Sequence, residues 1–197
     1  MNRLKLCWKF ARPFTLVPPM VGIFSGALIG YGATHARLYP LHILFAVLAA
    51  GVLNAASNGL NQICDFKNDC VNKPHRPLPS GRMTRRQAWV FVAITYALAL
   101  GLVAAVNWQI FWIYVVAALA TVAYSQPPVR LKRHPAGSNV IIALSVVMLC
   151  WGSYVVYLIN DDPRRLVTEG ENHPGWHHMY WMMVVGHLGL AAAYLIG

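Results

Sequence analysis

The chain has 197 residues, 57% of them hydrophobic and only 11% charged, with a formal net charge of +10. Soluble domains carry about 25% charged residues, so a soluble globular domain is excluded and a polytopic membrane protein is the class that fits. The basic residues sit in short runs between apolar spans and not on a polar surface, which excludes nucleic acid as a partner and assigns the charge to membrane orientation.

The N-terminal fourteen residues, MNRLKLCWKFARPF, form a short, basic, amphipathic segment. The apolar run that follows is too long for a cleaved signal peptide and is interrupted by Pro18 and Pro19. The segment reads as interfacial, with Trp8, Phe10 and Phe14 at the headgroup level. Six membrane spans are expected, at about 14–33, 41–60, 88–106, 108–124, 140–159 and 176–196. In the first, the proline pair predicts a kink, and Gly22, Gly26 and Gly30 recur every fourth residue, as at a close helix contact. After the fourth, Ser125-Gln126-Pro127-Pro128 breaks the helix. The fold class is therefore all-α: one transmembrane helical bundle over residues 1–197. The four cysteines show no CxxC pair and read as free thiols.

Charge bias orients the spans. Four Lys/Arg precede the first span (Arg3, Lys5, Lys9, Arg12). Six follow the second (Lys67, Lys73, Arg76, Arg82, Arg85, Arg86), and three follow the fourth (Arg130, Lys132, Arg133). By the positive-inside rule these three segments face the cytoplasm. The expected location is a multi-pass protein of the cell (inner) membrane.

One stretch breaks the apolar pattern. Asn54, Asn58, Asn61, Asp65, Asn68 and Asn72 recur at alternating gaps of four and three, which places them near one helical face. Asp69 lies one turn beyond Asp65. Two carboxylates at that spacing repel, and at membrane depth they are costly. One reading is a helix–helix hydrogen-bonding seam. The other is a cation site, for which carboxylate and amide oxygens suit a hard ion such as Mg²⁺. The basic residues just downstream offer positive charge to an anion. A second stretch, Tyr124 to Arg133, joins a tyrosine at a helix end, a double-proline break and three cations. It reads either as an interfacial, positive-inside loop or as a binding place for an anionic head beside an apolar channel.

Together the two stretches resemble the UbiA superfamily of intramembrane prenyltransferases. Asn61-Gln62-Ile63-Cys64-Asp65-Phe66-Lys67-Asn68-Asp69 is similar to that family's NDxxDxxxD-type first motif, with Gln62 in the second position. Val71 to Gly81 is close to its NKPxRPLPSG run. Tyr124 to Arg133 matches the YSxPPxRLKR-like motif after the fourth helix, and Arg12-Pro13 fits the family's start. The resemblance implies a helical bundle around a central cavity. It also implies transfer of an isoprenoid chain from a polyprenyl diphosphate to an aromatic or lipid-like acceptor, with Mg²⁺ as cofactor. Asn61, Asp65 and Asp69 would hold the metal. Lys132 and Arg133, with Arg76 and Arg12, would meet the diphosphate, and Tyr124 and Ser125 would line the reacting end. Asp65, Asp69, Tyr124 and Lys132 are then the expected catalytic residues.

The family's second Asp-rich motif follows its sixth span. Six spans here return the chain to the cytoplasmic side at Gly197, while Asp161, Asp162, Glu169 and Glu171 fall on the opposite loop. The expectation is an N-terminal six-helix portion of the fold, with a second chain as one source of the remaining helices. The alternative is a non-catalytic or split membrane subunit, or a transporter, built on the same polar stripe.

Overall fold

The computed structural model describes residues 2–34 and 39–133. The spans expected at 140–159 and 176–196, with Asp161, Asp162, Glu169 and Glu171, lie outside the described residues. All regular structure among the described residues is helical. A short α1 (Arg3–Ala11) leads through a 3-10 turn (Pro13–Thr15) into α2 (Val17–Thr34). Next come α3 (Pro40–Cys64), a two-turn α4 (Phe66–Asn72), α5 (Arg85–Ala104), α6 (Trp108–Ser125) and a closing 3-10 turn (Leu131–Arg133).

Local sequence sets several of these ends. Thr84 and Gln87 make a reciprocal capping box at the start of α5. The Asn107 side chain accepts from the backbone N–H of Ile110 to open α6. Pro40 occupies the first turn of α3, where the missing N–H has no intrahelical partner to lose.

α3 is the central element. Ala46, Ala49, Ala50, Leu53, Ala56, Leu60 and Ile63 are buried along it, at helical spacing and mostly small. Small residues let neighbouring backbones approach closely where lipid supplies no hydrophobic drive. Its widest interface is with α5, and α1, α2 and α6 also pack on it. Two close approaches that require glycine lie on α3. A Cβ on Gly59 would lie 2.8 Å from Val92 Cγ2 and 3.0 Å from Phe10 Cε1, and one on Gly51 would lie 2.8 Å from Met20 Sδ. Polar cross-ties complete the packing: Tyr114 Oη donates to the carbonyl of Ala46 at 2.7 Å, and Tyr96 Oη pairs with Thr121 Oγ1 at 2.6 Å.

Phe10 departs from its sequence-based expectation. It is fully buried, packed edge-on to Phe91 in a cluster with Leu60, Leu78, Met83 and Val92. It faces inward because α1 lies against α3, while Leu4, Trp8 and Phe14 are the large hydrophobic side chains of that segment that stay exposed. Residues 73–84 are likewise a packed cap. Arg82 donates to Ser80 Oγ and to the His75 carbonyl, and Leu78 and Met83 enter the cluster around Phe10.

α3, α5 and α6 are long and apolar enough to cross a membrane. Large hydrophobic side chains point outward along the bundle, among them Phe24, Leu44, Ile94, Leu98, Trp112 and Leu119. An exposed apolar belt of this kind marks a surface solvated by lipid or by further helices.

Candidate diphosphate and cation site

The polar stripe bends at Asp65. Its backbone (φ −94°, ψ 13°) leaves the helical region between α3 and α4, yet the carbonyls still connect: Asp65 N–H donates to the Asn61 carbonyl at 2.9 Å and Asp69 N–H to the Asp65 carbonyl at 2.8 Å. The two carboxylates therefore stay one turn apart across the junction of α3 and α4.

Each carboxylate meets a cation, Asp65 from a distant segment and Asp69 from the loop that follows α4. Lys132 Nζ donates to Asp65 Oδ2 and to Asn61 Oδ1, both at 2.6 Å. Arg130 donates to Asp65 Oδ1 at 2.8 Å. Arg76 donates to Asp69 Oδ2 at 2.6 Å. These pairs are largely desolvated, with side-chain exposures of 7% for Asp69, 14% for Arg76 and Lys132, 20% for Arg130 and 21% for Asp65. Ion pairs this sheltered are screened little by salt and are strongly position-specific. The two stretches picked out in the sequence thus touch, across about 70 residues of chain.

Arg130 is the residue that sequence reasoning undervalued. It was one basic residue among three, while the structure exposes Arg133 and turns Arg130 inward. The signal was faint because it lies in the backbone. Arg130 has φ 37°, an uncommon conformation for a residue with a side chain, and its N–H donates to the Gln126 carbonyl at 2.8 Å. The tight turn after the prolines rotates Arg130 toward Asp65 and leaves Arg133 on the outside. Its Nε is buried without a hydrogen-bond partner among the described residues. A buried guanidinium N–H left unused is a donor ready for an anionic oxygen.

Arg12 forms a fourth cation. It caps α1 in the left-handed region (φ 59°, ψ 69°), which costs a non-glycine residue roughly 1–2 kcal/mol. Burial and the nearby Arg76 hold its pKa below the ordinary arginine value, with Asp69 opposing them. No carboxylate is within ion-pair distance of it among the described residues. Tyr124 is half-buried at the end of α6, and Ser125 is fully buried with its Oγ unpartnered among the described residues. Four cations thus gather around two carboxylates, an excess of two positive charges that suits a polyanion.

The donor set also fits a hard divalent ion. No three carboxylate, imidazole or thiol groups cluster among the described residues. What converges is amide and carboxylate oxygen, with the Lys132 ammonium between Asn61 Oδ1 and Asp65 Oδ2. Mg²⁺ is commonly held by one or two carboxylates together with substrate phosphates, and Asn61, Asp65 and Asp69 are the oxygen-bearing side chains here that could take the protein's part.

The upper stripe behaves differently. Asn58 Nδ2 lies 3.1 Å from the Ala11 carbonyl, 2.7 Å from Thr15 Oγ1 and 2.8 Å from Asn54 Oδ1. Gln62 Nε2 donates to the Phe10 carbonyl at 2.7 Å. Here the seam reading holds, between α3 and the N-terminal segment.

Comparison with known proteins identifies the family and the fold. The sequence model of the UbiA prenyltransferase family matches residues 20–195. The chain is 33% identical over 161 residues to the bacteriochlorophyll synthase 33 kDa chain of Cereibacter sphaeroides, a match covering 80% of this chain and 52% of that protein. Among solved structures, a digeranylgeranylglyceryl phosphate synthase superposes with a TM-score of 0.71 at 28% identity, over 79% of this chain and 54% of the other. A UbiA homolog from Archaeoglobus fulgidus bound to DMAPP and Mg²⁺ gives 0.67 at 25% identity, over 77% and 54%. The chain spans about half the length of these relatives.

Proposed function

Because the chain belongs to the UbiA prenyltransferase family, we propose that it serves the transfer of an isoprenoid chain from a polyprenyl diphosphate to an aromatic or lipid-like acceptor inside the membrane, with the site on the cytoplasmic side of the cell membrane. The observation that carries this reading is the cluster of Lys132, Arg130 and Asn61 on Asp65, beside Arg76 on Asp69. It is a sheltered, net-positive site whose carboxylates are already matched to cations.

In the reaction the allylic C–O bond breaks, and the electron pair leaves with the diphosphate. Arg76, Arg130 and Lys132, with Arg12 beside them, bind its oxygens and stabilise the charge that develops. When bound at Asn61, Asp65 and Asp69, Mg²⁺ supplies Lewis-acid neutralisation of that same charge. The acceptor's nucleophilic atom closes a bond to the allylic carbon and releases a proton. The Tyr124 ring offers an electron-rich face to the allylic cation, with Ser125 adjacent in the chain. The surrounding bundle and lipid exclude the water that would hydrolyse the donor.

The test uses the full chain in lipid nanodiscs with Mg²⁺, a labelled geranyl or longer prenyl diphosphate and a panel of phenolic, tetrapyrrole-carboxylate and glycerol-phosphate acceptors. Saturable donor binding and prenylation of one acceptor class are expected. The reading is overturned if the donor does not bind, or if Asp65→Ala and Asp69→Ala leave its binding unchanged.

A further inference from the structure

The last carbonyls of a helix need donors, and those of α1 receive them from another helix. Gln62 Nε2 bonds the Phe10 carbonyl at 2.7 Å in a fully buried contact. Asn58 Nδ2 reaches the Ala11 carbonyl and Thr15 Oγ1, and Thr15 Oγ1 donates in turn to the Arg12 carbonyl at 2.8 Å. Helix ends are usually satisfied by their own flanking residues or by water. Two side-chain amides from successive turns of α3 here grip Phe10 and Ala11 directly and Arg12 through Thr15, and hold the left-handed corner at Arg12 (φ 59°).

That corner faces the site. Phe10 packs with Leu78 and Met83 of the cap that carries Arg76, and Arg12 lies within electrostatic reach of both Arg76 and Asp69. Asp69 is already engaged by Arg76. Arg12 is left as a half-buried cation beside a like charge, in a backbone conformation that its own side chain does not favour. Strain held by surrounding contacts at such a place is a reason to ask what the residue is held for.

We propose that Asn58 and Gln62 are positioning residues: their amides lock the end of α1 so that the Arg12 guanidinium is presented to the diphosphate gathered at Asp65 and Asp69. This rests on the diphosphate reading above and adds to it a division of labour along α3. Asn61 and Asp65 face the ligand, and the residues beside them, Asn58 and Gln62, aim a cation at it from the N-terminal segment. Gln62 is suited to this where an aspartate would not be, since a carboxylate has no donor for the Phe10 carbonyl.

The test is a double-mutant cycle on the full chain in nanodiscs, reading the affinity for inorganic pyrophosphate at fixed Mg²⁺. Arg12→Met, Gln62→Met and the near-isosteric Thr15→Val should each weaken binding, the first by about tenfold and the others by about three- to tenfold, the range of coupling within one network. In the Arg12→Met background, Gln62→Met and Thr15→Val should cost nothing further. In a Lys132→Met background they should cost their full factor, because Lys132 acts from another segment. General loosening of the fold would instead give the same loss in every background, and that result overturns the proposal. So does binding within twofold of wild type for both Gln62→Met and Thr15→Val. Wild-type protein that does not bind pyrophosphate overturns the diphosphate reading itself, a result distinct from wild-type binding that ignores the clamp.

Discussion

Two halves of one polar stripe meet different fates. Asn58, itself bonded to Asn54, joins α3 to the N-terminal segment through neutral amide bonds to carbonyl and hydroxyl oxygens. One turn further, Asn61 and Asp65 accept from a lysine and an arginine some 70 residues away. The residue types barely change between the halves. What changes is the neighbour. The first half faces helix-end carbonyls, which call for donors. The second faces the cations of the turn after α6, which call for acceptors. A polar residue on a membrane helix is thus glue or chemistry according to the charge it is turned toward.

The sharpest way to break this contrast is Asp65→Ala. It leaves Arg130 and Lys132 without their shared carboxylate and removes a proposed metal ligand, and magnesium-pyrophosphate affinity should fall by about 100-fold or more. Asn54→Ala, on the other half, should change it by less than about twofold, because the side-chain hydrogen bond of that residue among the described residues is to Asn58. Isothermal titration of both variants in nanodiscs checks the pair, and equal effects would dissolve the distinction.

Lys132→Met should act in two directions. Pyrophosphate binding should weaken about tenfold, since one charge-assisted donor is gone. Mn²⁺ added alone should bind more tightly than to wild type, because the ammonium no longer competes for Asn61 Oδ1 and Asp65 Oδ2. Electron paramagnetic resonance of free Mn²⁺ reads this directly, and unchanged or weaker Mn²⁺ binding would show that the two cations do not share that place.

A smaller effect separates the two arginines of the turn. Arg130→Met should cost about five- to tenfold in pyrophosphate affinity, whereas Arg133→Met, at an exposed position, should stay within about twofold. A reversal would mean that the turn presents the other face when ligand is bound.

The seam half should respond in stability instead. Gly59→Ala drives a methyl against Val92 and Phe10 and should destabilise by about 1–3 kcal/mol, lowering the thermal midpoint while pyrophosphate affinity of the folded fraction stays within about twofold. Gly51→Ala should cost less, because the obstructing atom is the flexible end of Met20. A loss of affinity at Gly59 larger than the loss of stability would place the seam within the site.

Much of this was readable in advance. An apolar composition and regular spans announce a helical membrane bundle because lipid demands it, and paired acids one turn apart at a span's end announce a need for positive charge because they repel, which Arg76, Arg130 and Lys132 meet. Lys132 and Arg76 were legible as cations near a motif. Phe10 was not legible, since an aromatic residue on an amphipathic segment carries the same local pattern whether that face meets headgroups or another helix. Arg130 and Arg133 were not separable either, since three cations within four residues look alike until the backbone turns one of them inward.

The order of residues alone determined the class of the protein, the positions of its acids and bases and the end of the bundle at which they gather. Those follow from hydropathy, helical period and charge, which act locally along the chain. Which cation meets which acid, which amide grips a carbonyl of α1 and which arginine stands free were decided by tertiary structure. Such pairings depend on distances of a few ångströms between segments remote in the chain, and no local period encodes them.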